Sequence, residues 1–199
     1  LAKGNREVVP DPHVWGDVQN VIRMVEILQD ALTQLSPEDR AEFNQNATRL
    51  MAQLEQLDTW IKKEIHTIPP EKRQLVTTHD AFQYYGRAYS LSITGTLIGI
   101  STEEQPSAQT TRRLIEAVKA AGVPTIFAET TINPALIRTV ADEAGVKLSE
   151  RQLYSDSIGA PASDADSYIK MMVANTQTIV EALGGHYTPF QPVTTPQPQ

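Results

Sequence analysis

A histidine and two carboxylates stand at the ends of predicted strands in the second half of the chain. His79 directly follows the β-forming run Leu75–Thr78, and Glu129 and Asp156 each follow a similar short run. If these strands are parallel, all three residues lie at one edge of the sheet, where ligands bind in α/β folds. Imidazole and carboxylate groups bind zinc, manganese or iron, so a divalent-metal site is one interpretation. Helix capping by the acidic residues is the alternative.

A second histidine lies in the segment Asp11-Pro12-His13-Val14-Trp15. Pro12 fixes its own φ and favours an extended conformation at Asp11, so His13 should lie on a stiff loop just before a helix. Trp15 is large and apolar enough to anchor that loop by packing. An ordinary loop-to-helix junction explains the same residues without any chemistry.

Two helices are predicted before residue 70. The first should run over about 17–35 and the second over about 36–65, each with apolar residues at a spacing of three or four. Ser36-Pro37 suits the start of the second helix, and Pro69-Pro70 ends it. At 1.5 Å per residue, the second helix would be about 45 Å long, which suits either a coiled-coil arm or a brace along two lobes. The apolar positions are Val18, Val21, Ile22, Val25, Leu28, Leu32 and Leu35 in the first helix, and Phe43, Ala47, Leu50, Leu54, Leu57 and Ile61 in the second.

Strand and helix patterns alternate after Pro70. This alternation predicts βαβ units and an α/β fold with a four-stranded, mainly parallel sheet flanked by helices. Gly122 and Gly145 stand where helix C-terminal caps belong. The predicted strands are 74–78, 92–98, 124–128 and 152–155, and the predicted helices are 81–89, 107–121, 134–144 and 165–183.

Composition narrows the class of partner. The chain has 199 residues, a net charge of −7 and no cysteine. The negative charge argues against a nucleic-acid partner, and the absence of cysteine excludes disulfides and thiolate metal sites. The sequence shows no signal peptide and begins at Leu1, so we expect a processed or truncated chain.

Five motifs occur in a fixed order: Asp11-Pro12-His13-Val14-Trp15, Thr78-His79-Asp80-Ala81-Phe82-Gln83-Tyr84-Tyr85, Phe127-Ala128-Glu129-Thr130, Leu153-Tyr154-Ser155-Asp156-Ser157 and Tyr168-Ile169-Lys170-Met171-Met172. In this order and spacing they resemble the solute-binding proteins of zinc and manganese ABC importers, the ZnuA/TroA type. The resemblance extends over residues 8 to 184 and implies two α/β lobes joined by one long rigid helix. Here it implies a remnant of the first lobe at 1–35, the linking helix at 36–68 and a C-terminal α/β lobe at 69–187. The composition of residues 188–199, rich in Thr, Pro and Gln, predicts a disordered tail.

The resemblance also implies a metal site. It places metal ligands at His13, His79 and Asp156, with Glu129 not itself a ligand but orienting one or balancing the charge. A further histidine would come from an upstream lobe that most of this chain lacks, and His66 and His186 are poor substitutes for it. A nitrogen-rich site favours zinc, with manganese as the alternative. Because the upstream histidine is missing, we expect weaker metal binding than in a chain that carries the missing lobe. We also expect residues 1–16 to be mobile or displaced.

The function implied is capture of a divalent metal outside the cytoplasmic membrane and its delivery to an ABC permease. Such a protein is not an enzyme, and we expect a periplasmic or otherwise extracytoplasmic monomer, with a lipid anchor upstream of Leu1 as one mode of attachment. Two other functions stay open. One is a metal-dependent hydrolase with Glu129 as its base, and the other is an adhesin or structural module built on the long helix.

Overall fold

The computed structural model describes residues 10–103 and 105–192. Six α-helices and four short β-strands occur in this part of the chain, with single 3₁₀ turns at Val14–Gly16, Pro37–Asp39 and Pro70–Lys72. The helices are α1 (Val18–Leu35), α2 (Arg40–His66), α3 (Gln83–Tyr89), α4 (Ala108–Ala121), α5 (Ala135–Ala144) and α6 (Tyr168–Ala182), and the strands are β1 (Gln74–Thr77), β2 (Ser92–Thr96), β3 (Thr125–Ile126) and β4 (Lys147–Leu148).

The strands pair in parallel, which confirms the α/β class. β1 pairs with β2 and β3 pairs with β4, so the described strands form two two-stranded sheets rather than the single four-stranded sheet that we predicted. The two pairs are neighbours, because the Phe127 N–H donates to the Val76 carbonyl at 2.9 Å. This contact brings the ends of β1 and β3 together.

The predicted strand 152–155 is wrong, since only one bridge forms there, between Glu129 and Leu153. Side chains take the backbone groups that a strand would need. The Asn175 amide accepts from the Tyr154 N–H and donates to the Tyr154 carbonyl, at 2.8 and 2.7 Å. The Trp15 indole donates to the Ser155 carbonyl.

The second half of the long helix α2 contributes its apolar side chains to the core. Leu54, Leu57, Ile61 and Ile65 are fully buried, and α6 packs against this helix. The predicted apolar faces are only partly covered: Leu50 of α2 is exposed, and so are three leucines at the end of α1. Helix α2 packs against α1, but these three leucines keep 43–83% of their surface exposed. They are Leu28, Leu32 and Leu35.

The core has two parts that meet at the parallel strands. One joins the beginning of α1 to α2, α3 and α6 through large side chains such as Tyr85 and Phe127. The other packs α4 and α5 against β1 and β3, around Val76 and Ile126. The loops that leave β1 and β3 therefore start from rigid positions. No helix in the described residues combines the length and apolar character that crossing a membrane requires.

The tail predicted to be disordered from residue 188 needs correction at its start. The Trp60 indole donates to the Thr188 carbonyl at 2.9 Å, and the Thr188 N–H donates to Glu64 at 2.7 Å. The Phe190 ring packs against Trp60. This segment therefore lies on α2, and residues 193–199 are outside the described residues.

Burial along α2 predicts an unequal response to truncation of its apolar side chains. Ile61→Ala should lower the free energy of unfolding by about 2–5 kcal/mol, because it leaves a cavity in the core. Leu50→Ala is a matched control on the same helix and should cost less than about 1 kcal/mol, since Leu50 is already exposed. Urea denaturation followed by circular dichroism measures both values. Equal losses would contradict the described packing.

Candidate metal centre

His79 occupies the first turn after β1 and is fully buried. The Thr77 hydroxyl donates to the His79 carbonyl at 2.8 Å, and the Thr78 carbonyl accepts from the N–H groups of Leu97 and Ile98 at 3.0 and 2.9 Å. These bonds fix the backbone on both sides of the imidazole. The histidine is therefore held in place before any ligand arrives.

Glu129 follows β3 and holds His79 from behind. Its Oε1 accepts from the His79 backbone N–H at 2.9 Å, and its Oε2 contacts the imidazole Nδ1. Both side chains have no exposed surface. A carboxylate at Nδ1 keeps the proton on that nitrogen, so Nε2 is free to act as a metal ligand. The His79 Nε2 is buried and has no hydrogen-bond partner among the described residues, which fits a ligand atom.

The charge around His79 alters its proton affinity. Burial lowers the pKa of His79, but the hydrogen bond and negative charge of Glu129, helped by Asp156, outweigh it and raise the pKa above its ordinary value. A metal ion must displace that proton from the imidazolium form. Binding is therefore expected to compete with protonation.

His13 has a similar arrangement on its own loop. The Asp11 Oδ1 accepts from the His13 backbone N–H at 3.0 Å and lies 2.7 Å from Nδ1. The side chain of His13 is buried, and its Nε2 points away from Asp11 toward Asp156. Sequence reasoning missed the role of Asp11 in the site. The spacing of a carboxylate two residues before a histidine, across a proline, is a signal that could have found it.

The expectation that residues 1–16 are mobile or displaced is wrong for residues 10–16, and residues 1–9 lie outside the described residues. The loop that carries His13 is bound to the C-terminal half of the chain. The Trp15 indole donates to the Ser155 carbonyl at 2.9 Å, and the Tyr168 hydroxyl donates to the Trp15 carbonyl at 2.8 Å.

Asp156 is the third residue of the group that His13 and His79 form. Its Oδ1 lies 3.3 Å from the His13 Nε2 and 3.4 Å from the His79 Nε2, and its side chain is 30% exposed. Atoms bound to one tetrahedral zinc ion at 2.0–2.1 Å lie about 3.3–3.4 Å apart, so these separations match two edges of such a site. Candidate ligand atoms of all three residues lie within 4.8 Å of one another.

In the part of the chain that the structure describes, this is the one group of three or more potential ligands close enough to hold an ion. His66 and His186 are exposed and lie outside it. The His66 Nδ1 lies 2.6 Å from the Lys62 carbonyl of its own helix. The three predicted ligands thus come together, and the two other histidines do not join them.

A buried carboxylate–histidine pair and a convergent group of potential metal ligands on an α/β body are typical of metal-binding proteins. The chain matches the family described as ZnuA, zinc-uptake complex component A, periplasmic, over residues 2–182, and it belongs to that family. The resemblance drawn from the motifs is therefore confirmed.

Relatives of this chain carry several metals in their names. The manganese-binding lipoprotein MntA of Halalkalibacterium halodurans is 34% identical over 173 residues, which are 87% of this chain and 57% of that protein. The periplasmic zinc-binding protein TroA from Treponema pallidum superposes with a TM-score of 0.85 at 32% identity, over 91% of this chain and 66% of that one. Fe(III)-bound YtgA from Chlamydia trachomatis gives 0.84 at 31% identity, over 95% and 69%. The chain spans a little over half the length of the curated relatives that it matches.

The carboxylates of Glu129 and Asp11 each contact the Nδ1 of a histidine, so replacing them should change the imidazole tautomer. Glu129→Gln keeps the size of the side chain but can place an amide N–H against the His79 Nδ1, which moves the imidazole proton to Nε2 and blocks the ligand atom. Zinc affinity should fall by about 10- to 100-fold, as for other groups that orient metal ligands. A competition titration with a chromophoric chelator measures it.

Asp11→Asn is the matched comparison on the other histidine. Its effect should be smaller, because one oxygen of Asp11, Oδ1, makes both contacts with His13 and the asparagine amide keeps such an acceptor. An unchanged affinity in Glu129→Gln would show that this carboxylate does not orient His79.

The raised pKa of His79 predicts a pH dependence of binding. Only the neutral imidazole binds metal, so affinity should fall as the pH is lowered from 8 to 6. Because the pKa is raised, the fall should begin at a higher pH than for an unperturbed histidine, whose pKa is about 6.5. Calorimetric titrations with zinc across this range measure the effect. A constant affinity over these two pH units would contradict it.

Proposed function

We propose that this protein binds a divalent transition-metal ion through His13, His79 and Asp156 and delivers it, as a substrate-binding protein, to an ABC permease. The metal is the cargo, and no chemical turnover takes place. One observation carries the proposal: both histidines have Nδ1 held by a carboxylate while both Nε2 atoms converge on Asp156 Oδ1. Membership of the zinc-uptake family supports the transport role.

We favour zinc as the cargo, with manganese as the alternative. Two imidazole nitrogens and one carboxylate oxygen suit zinc, and the separations of 3.3 and 3.4 Å suit tetrahedral coordination. Affinity order at sites of this kind also favours zinc over manganese. The names of the relatives do not distinguish among the metals, since MntA is named for manganese, TroA for zinc and a YtgA structure for iron.

The site of action that we propose is outside the cytoplasmic membrane. The matched family is described as periplasmic, and several relatives are named lipoproteins. A lipid anchor and a monomeric state remain part of the proposal. The division of the longer protein into a first lobe, a linking helix that contains α2 and a C-terminal lobe belongs to the same proposal.

The hydrolase alternative is less well supported. It needs Glu129 as a free general base near the metal, but both carboxylate oxygens of Glu129 face His79. A structural module built on the long helix would have no use for the convergent ligand atoms. Metal capture accounts for these features together.

Removal of a central ligand tests the function. His79→Ala should reduce zinc affinity by at least about 100-fold, because it removes one of the three candidate ligands and leaves the Glu129 carboxylate without its imidazole partner. Calorimetric titration with zinc, and separately with manganese, gives the dissociation constants. Tighter binding of manganese than zinc in the wild type would reverse the choice of cargo.

His186→Ala is the matched control, since His186 is exposed and lies outside the group of ligands. It should bind zinc as the wild type does. If His79→Ala also bound zinc as tightly as the wild type, the proposed site would be wrong.

A further inference from the structure

Trp15 joins two loops that are distant in sequence. It stands two residues after His13, and its indole N–H donates to the Ser155 carbonyl at 2.9 Å across 140 positions of sequence. Ser155 immediately precedes Asp156. One hydrogen bond therefore connects the loop that carries a histidine ligand to the loop that carries the carboxylate ligand.

The loop of Trp15 is fitted closely to the body of the protein on its other sides. The Tyr168 hydroxyl donates to the Trp15 carbonyl at 2.8 Å. A methyl group added at Gly16 would lie 3.1 Å from the Tyr85 backbone nitrogen, which is closer than ordinary contact. The crevice beside the indole, lined also by Phe82 and Met172, has a volume of only about 10 Å³. The indole thus has little room to shift.

The ring of Trp15 also contacts the ligand on its own loop. The centroids of the Trp15 and His13 rings are 5.4 Å apart, with the rings edge to face, and the His13 and His79 rings are 5.3 Å apart in a similar arrangement. The indole therefore limits the rotation of the His13 ring. Its N–H limits the distance between the two loops.

We propose that Trp15 is a positioning residue for metal binding: its hydrogen bond to the Ser155 carbonyl holds His13 and Asp156 at bonding distance of one ion. The inference rests on the proposed function. Asp156 lies in a stretch without regular secondary structure, so its position depends on contacts of this kind. Without the indole N–H, ordering the two loops would draw on the binding energy of the metal, and the apparent affinity would fall.

The chain offers a matched pair of tryptophans for the test. Trp60 also donates its indole N–H to a backbone carbonyl at 2.9 Å, that of Thr188, and it lies on α2 outside the group of ligands. Trp15→Phe and Trp60→Phe each remove one N–H donor and keep an aromatic ring. General destabilisation should therefore be similar in the two variants, whereas an effect on the metal site should appear in only one.

Zinc affinity and metal-free thermal stability are measured for the wild type and both variants. Trp15→Phe should weaken zinc binding by about 2- to 12-fold, the equivalent of one neutral hydrogen bond, and should speed metal loss to a chelator. Trp60→Phe should leave affinity unchanged. Equal affinities in Trp15→Phe and the wild type would overturn the inference, and so would an equal loss in both variants.

A double-mutant cycle with His13→Ala separates positioning from unrelated effects. If Trp15 holds His13 against Asp156, Trp15→Phe should weaken zinc binding less in a His13→Ala background than in the wild type, whereas fully additive losses would overturn the inference. The proposed function fails separately: wild-type protein without saturable zinc binding, or His79→Ala with wild-type affinity, would overturn the function and this inference with it. Normal binding that depends on His79 but not on Trp15 would overturn this inference alone.

Discussion

The buried contact between Glu129 and His79 is the constraint on which the site depends. A carboxylate without exposed surface must be compensated by donors or charge, and here His79 supplies both its backbone N–H and its imidazole Nδ1. This pairing requires the ends of β1 and β3 to be neighbours, which the bond from the Phe127 N–H to the Val76 carbonyl provides. Once Nδ1 is engaged, Nε2 is the ring nitrogen left to bind an ion.

The other two proposed ligands are brought to His79 by packing on the same body. His13 precedes α1, and its loop is tied to the C-terminal half through Trp15 and Tyr168. The beginning of α1 is held by a buried network in which Tyr89 accepts from the Val18 N–H and donates to Asp58 of α2. Ligands from residue 13 and residue 156 therefore share one support, and the long helix contributes to it through its buried second half.

Local rules predicted much of this arrangement. The caps and prolines located the helices to within a few residues, and the junction after a buried strand located His79 and Glu129, because the edge of a parallel sheet follows from chain direction. The strand expected at 152–155 failed because Asn175 and Trp15, distant in sequence, take its backbone groups. The seating of His13 was missed for the same reason, since it depends on Ser155 and Tyr168. Leu28, Leu32 and Leu35 belong to the predicted apolar face of α1 but are exposed. The spacing of apolar residues therefore predicts which face of a helix is apolar, but not whether another element covers it.

The central claim is that one ion is held by His13, His79 and Asp156 through the Nε2 atoms and the carboxylate. Anomalous diffraction at the zinc edge, from crystals of the protein loaded with one equivalent of zinc, tests it directly. We expect a single strong peak at about 2.0–2.2 Å from the His13 Nε2, the His79 Nε2 and an Asp156 oxygen. A peak at the exposed His66 or His186, with none between these three residues, would contradict the account.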